Sequence, residues 1–438
     1  MPENKNKKKK VIVSSKKKTE EQTFSSVNGM FDILPKDEWF WKKAIETGFL
    51  IGELHDFYFM ETPLLEPLSL FERGGGQYAG DGIKNIFSFS SRGIGKVAVR
   101  SEGRIPILRS YIEHHLGHFA LPLKIFYIEQ VAKYFNDGSQ KMLQFHELGF
   151  EVVGDNDPVY DMEVVFAILH FFRILKIKNL SVKINVGGCK TCRGQYREKT
   201  KAFFSGKKKE LCKKCAISFE KDVFCPFFCS DEKCVGLRET APIILDYLCQ
   251  NCNNHFQSIL ELMEDGGVLY ELDPHSIRGR EGYDRTIFRI ENGDGLLLAS
   301  GGRYDYLSET IAGRQIPAVG GSIILEHVFE EIKVCNIDIG GRRERRVFFI
   351  AVGAQAKKVG IRLMNELRVA GISVGESLGK KSFKGQMKAA EKSRVHTIAI
   401  IGQKEAYEET VIVRNTETGA QEIVTFEKLA EEIKKKLK

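Results

Sequence analysis

KIFYIEQVAKYF (residues 124–135) and MLQFHELGFEVVG (142–154) decide the fold. Both read as strands, and the loop between them carries Asn136-Asp137-Gly138, a turn signal. Two strands joined this closely form an antiparallel pair, whereas a parallel pair needs a long crossover. Working outward toward the N-terminus, IFSFSSRGIGKVAVRSEG (86–103) alternates in IFSFS and again in KVAVR, so it reads as a hairpin turning between Arg92 and Gly95. FYFMETP reads as a strand ending at Pro63, and LFERGGGQYAGDG (70–82) as a glycine-rich turn. Helical patterns run from Asp37 to about His55 and from Pro106 to His118, and a long helix follows Pro158. The longest apolar run, Val164 to Ile177, holds His170 and Arg173 and is too short to span a bilayer, so it reads as part of a core helix. Beyond residue 257, YELDPHSIRGREGYDRTIFRIEN (270–292) and GLLLASGGRYDYL (295–307) resume the sheet pattern around Gly293-Asp294-Gly295, and a helix is predicted from about Gly320 to Ile332.

The texture changes at Val347. VFFIAVG, ISVGE, HTIAIIG and TVIVRN alternate with helical stretches near 356–369 and 383–393 and a last helix from Thr425, as in a separate α/β domain. The chain of 438 residues therefore divides into a lysine-rich tail (1–27), an α+β core (28–335) with a module inserted at 187–256, a linker (336–346) carrying GGRRERR, and a terminal α/β domain (347–438). The tail reads as solvated and disordered, because like charges repel and no apolar face is present. Lys+Arg 66 against Asp+Glu 58 gives a net charge of +8, which mildly favours a polyanionic partner. The N-terminus MPENKNKKKK runs into more lysine with no apolar stretch behind it, which predicts a cytoplasmic protein with no membrane partner.

Nine of the ten cysteines lie between Cys189 and Cys252. In a chain without a secretion signal this density points to metal, not to disulfides. Cys189-x2-Cys192 and Cys212-x2-Cys215 are nineteen residues apart, within the range of zinc ribbons, and are expected to share one ion. A second set is Cys229, Cys234, Cys249 and Cys252, with Cys225 as a spare. The competing assignment is reduced cysteine packed in a small core. Four thiolates leave no open coordination position, so any zinc would be structural. Cys335 stands alone. GESLGKKS (375–382) has the wrong spacing for a P-loop, so any ATP is held in another way.

Eight collinear segments carry a family resemblance. GMFDILP (29–35), METPLLE (60–66), VRSEGRIP (99–106), IEQVAKYFNDGSQKMLQFHELGFEVVG (128–154), SIRGREGYDRTIFRIE (276–291), ASGGRYDYL (299–307), PAVGGSIILEHVF (317–329) and LGKKSFKGQMKAAEKS (378–393) together resemble the histidyl-tRNA synthetases. The resemblance implies the class II synthetase fold: an antiparallel catalytic sheet, the inserted module, and an anticodon-binding-like α/β domain. It implies a histidine–tRNA ligase acting on ATP with Mg2+, L-histidine and tRNA(His), and a homodimer built on the segment around Pro63. Arg278 and Lys133 would be catalytic. Glu102, Gly103, Arg104, Lys133, Glu147, Glu151, Arg278, Gly282 and Tyr283 would surround histidine. The chain departs from the family pattern at several of these positions. Lys133 stands for an arginine, Phe135 for a glutamate, Arg104 for a small hydroxyl residue, Glu147 for a glutamine, Gly282 for an aromatic and His327 for an arginine. These departures leave open an alternative, a catalytically impaired paralogue that binds tRNA or senses histidine. A third class, a zinc-stabilised nucleic-acid adaptor, explains the tail and the cysteines but not RGREGYDRT or GGRYD.

Overall fold

The computed structural model describes residues 24–74, 86–119, 122–133, 142–275, 282–340, 347–393 and 395–436. Arg278, Phe135, the lysine-rich tail and most of the glycine-rich turn lie outside them. The chain forms two compact units, Met1–Ile339 and Gly340–Lys438, each with its own sheet.

The first unit carries eleven strands among the described residues: β1 (Tyr58–Phe59), β2 (Leu65–Pro67), β3 (Ser88–Ser91), β4 (Gly95–Val99), β5 (Leu123–Ala132), β6 (Gln144–Val153), β7 (Ser181–Val186), β8 (Tyr270–Leu272), β9 (Asp284–Glu291), β10 (Leu297–Arg303) and β11 (Ala318–Ile324). Eight of them make one sheet in the order β1-β5-β6-β11-β10-β9-β7-β8. The six central strands are antiparallel throughout, and β1 and β8 add a parallel strand at each edge. β2, β4 and β3 form a small antiparallel sheet that includes the expected hairpin.

Alternation along β6 sets the two faces of the large sheet. Leu148, Phe150 and Val152 point into the main apolar core. The helix Val159–Ile174 supplies Val164, Val165, Ile168, Phe171 and Phe172 to the same core. Each such side chain contributes roughly 1.5–3 kcal/mol relative to exposure, which holds this face dry and leaves the opposite face for chemistry.

One predicted helix needs correction. Residues 318–324 are strand β11, and the helix begins only at Leu325. Gly320 and Gly321 disfavour a helix interior, and Ile323-Ile324 suits a strand. The predicted strand around FYFMETP shrinks to two residues.

The inserted module leaves the sheet after β7 and returns at β8. Its helices are Lys190–Gly206, Lys213–Ser218, Glu232–Glu239 and Gln250–Asp265. It has no separate core: Phe204, Phe219 and Phe227 join the cluster that contains Phe150 and Phe171.

The second unit carries β12 (Val347–Ala351), β13 (Val374–Glu376), β14 (Thr397–Ile401), β15 (Thr410–Asn415) and β16 (Gln421–Thr425) in the order β13-β12-β14-β15-β16. Its first three strands are parallel and the last two antiparallel. Helices Ala354–Val369, Phe383–Lys392, Gln403–Glu408 and Leu429–Lys436 complete it. The helix expected from Thr425 begins later, because 421–425 pairs as β16. Among the described residues, no helix is long and apolar enough to cross a membrane.

Candidate active site and thiolate clusters

The polar face of the large sheet floors a cleft of about 860 Å³. Register explains which residues meet there. Glu147, Gly149 and Glu151 share a face of β6, opposite Glu129, Tyr127 and Ile125 of β5 and opposite Ile324, Ser322 and Gly320 of β11. Two close approaches on this floor require glycine. A Cβ at Gly320 would lie 1.4 Å from Glu151 Oε2, and one at Gly149 would lie 2.1 Å from the Tyr127 ring. The missing side chains make room for a buried carboxylate and a buried ring.

Glu151 is 1% exposed. The Tyr304 hydroxyl donates to its Oε2 at 2.5 Å and the Tyr127 hydroxyl to its Oε1 at 3.2 Å. Burial pushes its carboxyl up to about 8, against the pull of the Tyr304 hydrogen bond, Arg104 and Tyr127. Glu147 accepts the Gly103 N–H at 3.1 Å, and burial pushes it up to about 7 against Lys133. Glu102 lines the same cleft and pairs with Arg104 at 3.1 Å. The Arg104 guanidinium lies 4.2 Å above the Tyr283 ring and 5.6 Å from the Tyr304 ring centre, within cation–π range.

The structure thus brings together Glu102, Arg104, Lys133, Glu147, Glu151 and Tyr283 in one cleft, with Gly103 at its edge through Glu147. Gly282 adopts φ +76, a conformation that favours glycine over the aromatic expected from the family pattern. Arg278 and Phe135 fall outside the described residues. His327 also lines the cleft, and its Nδ1 donates to the Leu297 carbonyl at 2.7 Å. A carbonyl can only accept, so this ring carries its proton on Nδ1.

Tyr127 and Tyr304, which hold Glu151, are absent from the residues chosen by sequence. Tyr304 sits inside the quoted GGRYD segment, and its neighbour Arg303 is buried on Asp161 and Asp305. That arginine is structural, and it fixes the turn from which Tyr304 reaches the cleft.

The cysteines group differently from the expected pairing. One cluster is Cys189, Cys192, Cys249 and Cys252, the other Cys212, Cys215, Cys229 and Cys234; in each, all four sulfurs lie within 4.8 Å of one another. The set Cys189, Cys192, Cys212 and Cys215 therefore does not form. The helix Lys190–Gly206 starts within the first Cys-x2-Cys pair, and its 17 residues at about 1.5 Å each carry the chain away from it before Cys212 is reached. Both clusters suit a tetrahedral ion. A Zn–S bond of about 2.3 Å places sulfurs about 3.8 Å apart, and the observed separations are 3.5 Å for Cys189–Cys192, 3.9 Å for Cys189–Cys249 and 3.7 Å for Cys212–Cys229. These are well beyond a disulfide bond. Backbone N–H groups of Cys249 and Cys215 donate to the sulfurs of Cys192 and Cys212, contacts that favour the thiolate form. Cys225 stays outside, its Sγ donating to the Cys215 carbonyl.

The raised carboxyls make a pH prediction. Between the ordinary glutamate value of 4.5 and about 8, the folded chain keeps a proton on Glu151 that the unfolded chain releases. Stability of the unliganded chain therefore falls as pH rises through that window. Glu151→Gln removes this loss. Thermal melts should show the variant gaining on the wild type between pH 5 and pH 8. A wild-type–variant difference that does not move with pH would contradict the burial of this carboxyl.

Comparison with known proteins adds relationship to geometry. Residues 239–328 match the histidyl-tRNA synthetase family and residues 346–436 the anticodon-binding domain family. The histidine–tRNA ligase of Natranaerobius thermophilus is 32% identical over 410 residues, covering 93% of this chain and 97% of the relative. That of Clostridium novyi is 32% identical over 403 residues, covering 92% and 97%. Among solved structures, the apo histidyl-tRNA synthetase of S. aureus is similar at 25% identity and a TM-score of 0.78, covering 94% of this chain and all of that one.

Proposed function

The chain belongs to the histidyl-tRNA synthetase family, and we propose that it is a histidine–tRNA ligase. It activates L-histidine with ATP to histidyl-adenylate and transfers the histidyl group to tRNA(His). The observation that carries this reading is Glu151, a buried carboxyl held by two tyrosines at the floor of the cleft. An imidazole N–H needs such an acceptor, and two donors on its oxygens fix where it points. Glu102 would take the substrate ammonium, and Tyr283 would close the pocket. The elevated Glu147 and Glu151 carboxyls lose protons as a cationic ligand enters, which couples histidine affinity to pH.

The histidine carboxylate attacks the α-phosphorus of ATP, pyrophosphate leaves, and negative charge builds on the phosphate oxygens. Arg278 would meet that charge, with Lys133 and the ATP-bound Mg2+ as the further cations. Lys133 keeps charge without the bidentate fork of arginine. The two thiolate clusters would each hold a structural zinc ion. The protein would work in the cytoplasm as a homodimer with an isologous interface. Light scattering at micromolar concentration should then give the mass of two chains. The test of function is charging: with ATP and Mg2+, radiolabelled histidine should become acid-precipitable on tRNA(His) and not on other tRNAs. No transfer to tRNA(His) would refute the reading.

A further inference from the structure

The Cys189 cluster lies at the root of the strand that carries the pocket wall, and one side chain joins the two. Strands β7 and β9 pair up to Val186–Thr286, and the last rung beyond them is the Gly187 N–H donating to the Arg285 carbonyl at 2.5 Å. There the chain departs into the module through Gly188 and Cys189. The start of β9 loses its neighbour at the point where its own backbone is irregular. Arg285 has φ +29, and the β9–β10 register shifts between Gly302 and Arg303. Arg193, one helical turn after Cys189, fills the gap: its Nε donates to the Gly187 carbonyl at 3.1 Å and its Nη2 to the Tyr283 carbonyl. The planar fork of a guanidinium can bridge two carbonyls in this way. The other arm of the cluster reaches the same strand. His255, three residues after Cys252, lies 3.3 Å from the Thr286 hydroxyl and 3.6 Å from Asp161, the carboxylate that holds Arg303.

We propose that Arg193 is a positioning residue for the amino-acid pocket, fixing Tyr283 from the first turn of the helix that the Cys189 cluster anchors. The proposal rests on the ligase reading for the identity of the ligand, but the brace itself does not.

Arg193→Ala and Arg193→Lys, made in the full-length protein, test it through three readouts: zinc content, calorimetric binding of histidine and of ATP, and amide hydrogen exchange. Losing a charge-assisted hydrogen bond should weaken histidine binding on the order of tenfold. Arg193→Ala should show this weakening with zinc and ATP affinity unchanged, and amides 284–287 should exchange faster. Arg193→Lys should recover part of the protection, having one donor head in place of the fork. Unchanged histidine affinity and unchanged exchange at 284–287 would overturn the proposal. Loss of zinc in Arg193→Ala would overturn it too, since the side chain would then serve the cluster and not the pocket. If the wild type itself fails to bind histidine, the ligase reading fails, while the exchange at 284–287 still decides the brace.

Discussion

Cys252→Ser is expected to release one of two zinc ions per chain and to leave the other in place. The two clusters share no cysteine, so the Cys189 site is left with three thiolates while the Cys212 site keeps four. Structural zinc sites bind with about 10–16 kcal/mol, and removing one of four ligands forfeits a large part of that. Alkylation followed by mass spectrometry reads the pairing directly. Cys189, Cys192 and Cys249 should become reactive together, while Cys212, Cys215, Cys229 and Cys234 stay protected. The pairing expected from linear spacing makes the opposite forecast: Cys189 and Cys192 would stay protected with Cys212 and Cys215. Protection of Cys189 and Cys192 in the variant would refute the grouping found here.

Arg278→Ala is expected to slow adenylate formation by about two to three orders of magnitude, the usual consequence of removing a donor aimed at a transition-state oxyanion. The effect should concentrate in the chemical step, because Glu102 and Glu151 would hold histidine in the ground state. Single-turnover kinetics at saturating ATP separates the two. The variant should keep its histidine affinity within a few-fold and lose rate. Equal rates for variant and wild type would mean that SIRGREGYDRT has been matched to the wrong family segment.

The sequence made the antiparallel core legible because period-two alternation and turn residues mark each strand, as in 124–135 and 142–154. The family resemblance, not periodicity, supplied Glu102, Glu147, Glu151 and Tyr283, which the fold gathers into one cleft. Register was harder to read. Tyr127 belongs to the site because it pairs with Gly149, and pairings between strands are long-range facts that periodicity does not carry. The helix predicted over 320–332 failed at its start because glycine pairs read equally as a break or as a close strand approach. In the cysteine module a usable signal was present. Cys192, Tyr196, Thr200 and Phe204 are buried at four-residue spacing along one helix, and that period argues against a compact zinc ribbon spanning Cys192 and Cys212. Motif spacing counts residues, whereas an intervening helix converts them to distance, and here the second measure wins.

If this cleft activates histidine, it will catalyse histidine-dependent exchange of labelled pyrophosphate into ATP, a reaction that requires the adenylate and needs no tRNA. The purified wild type should catalyse exchange with L-histidine, none above background without it, and none above background with Arg278→Ala. A wild type that binds histidine or tRNA yet gives no exchange would contradict the ligase reading and leave a binding or sensing paralogue in its place.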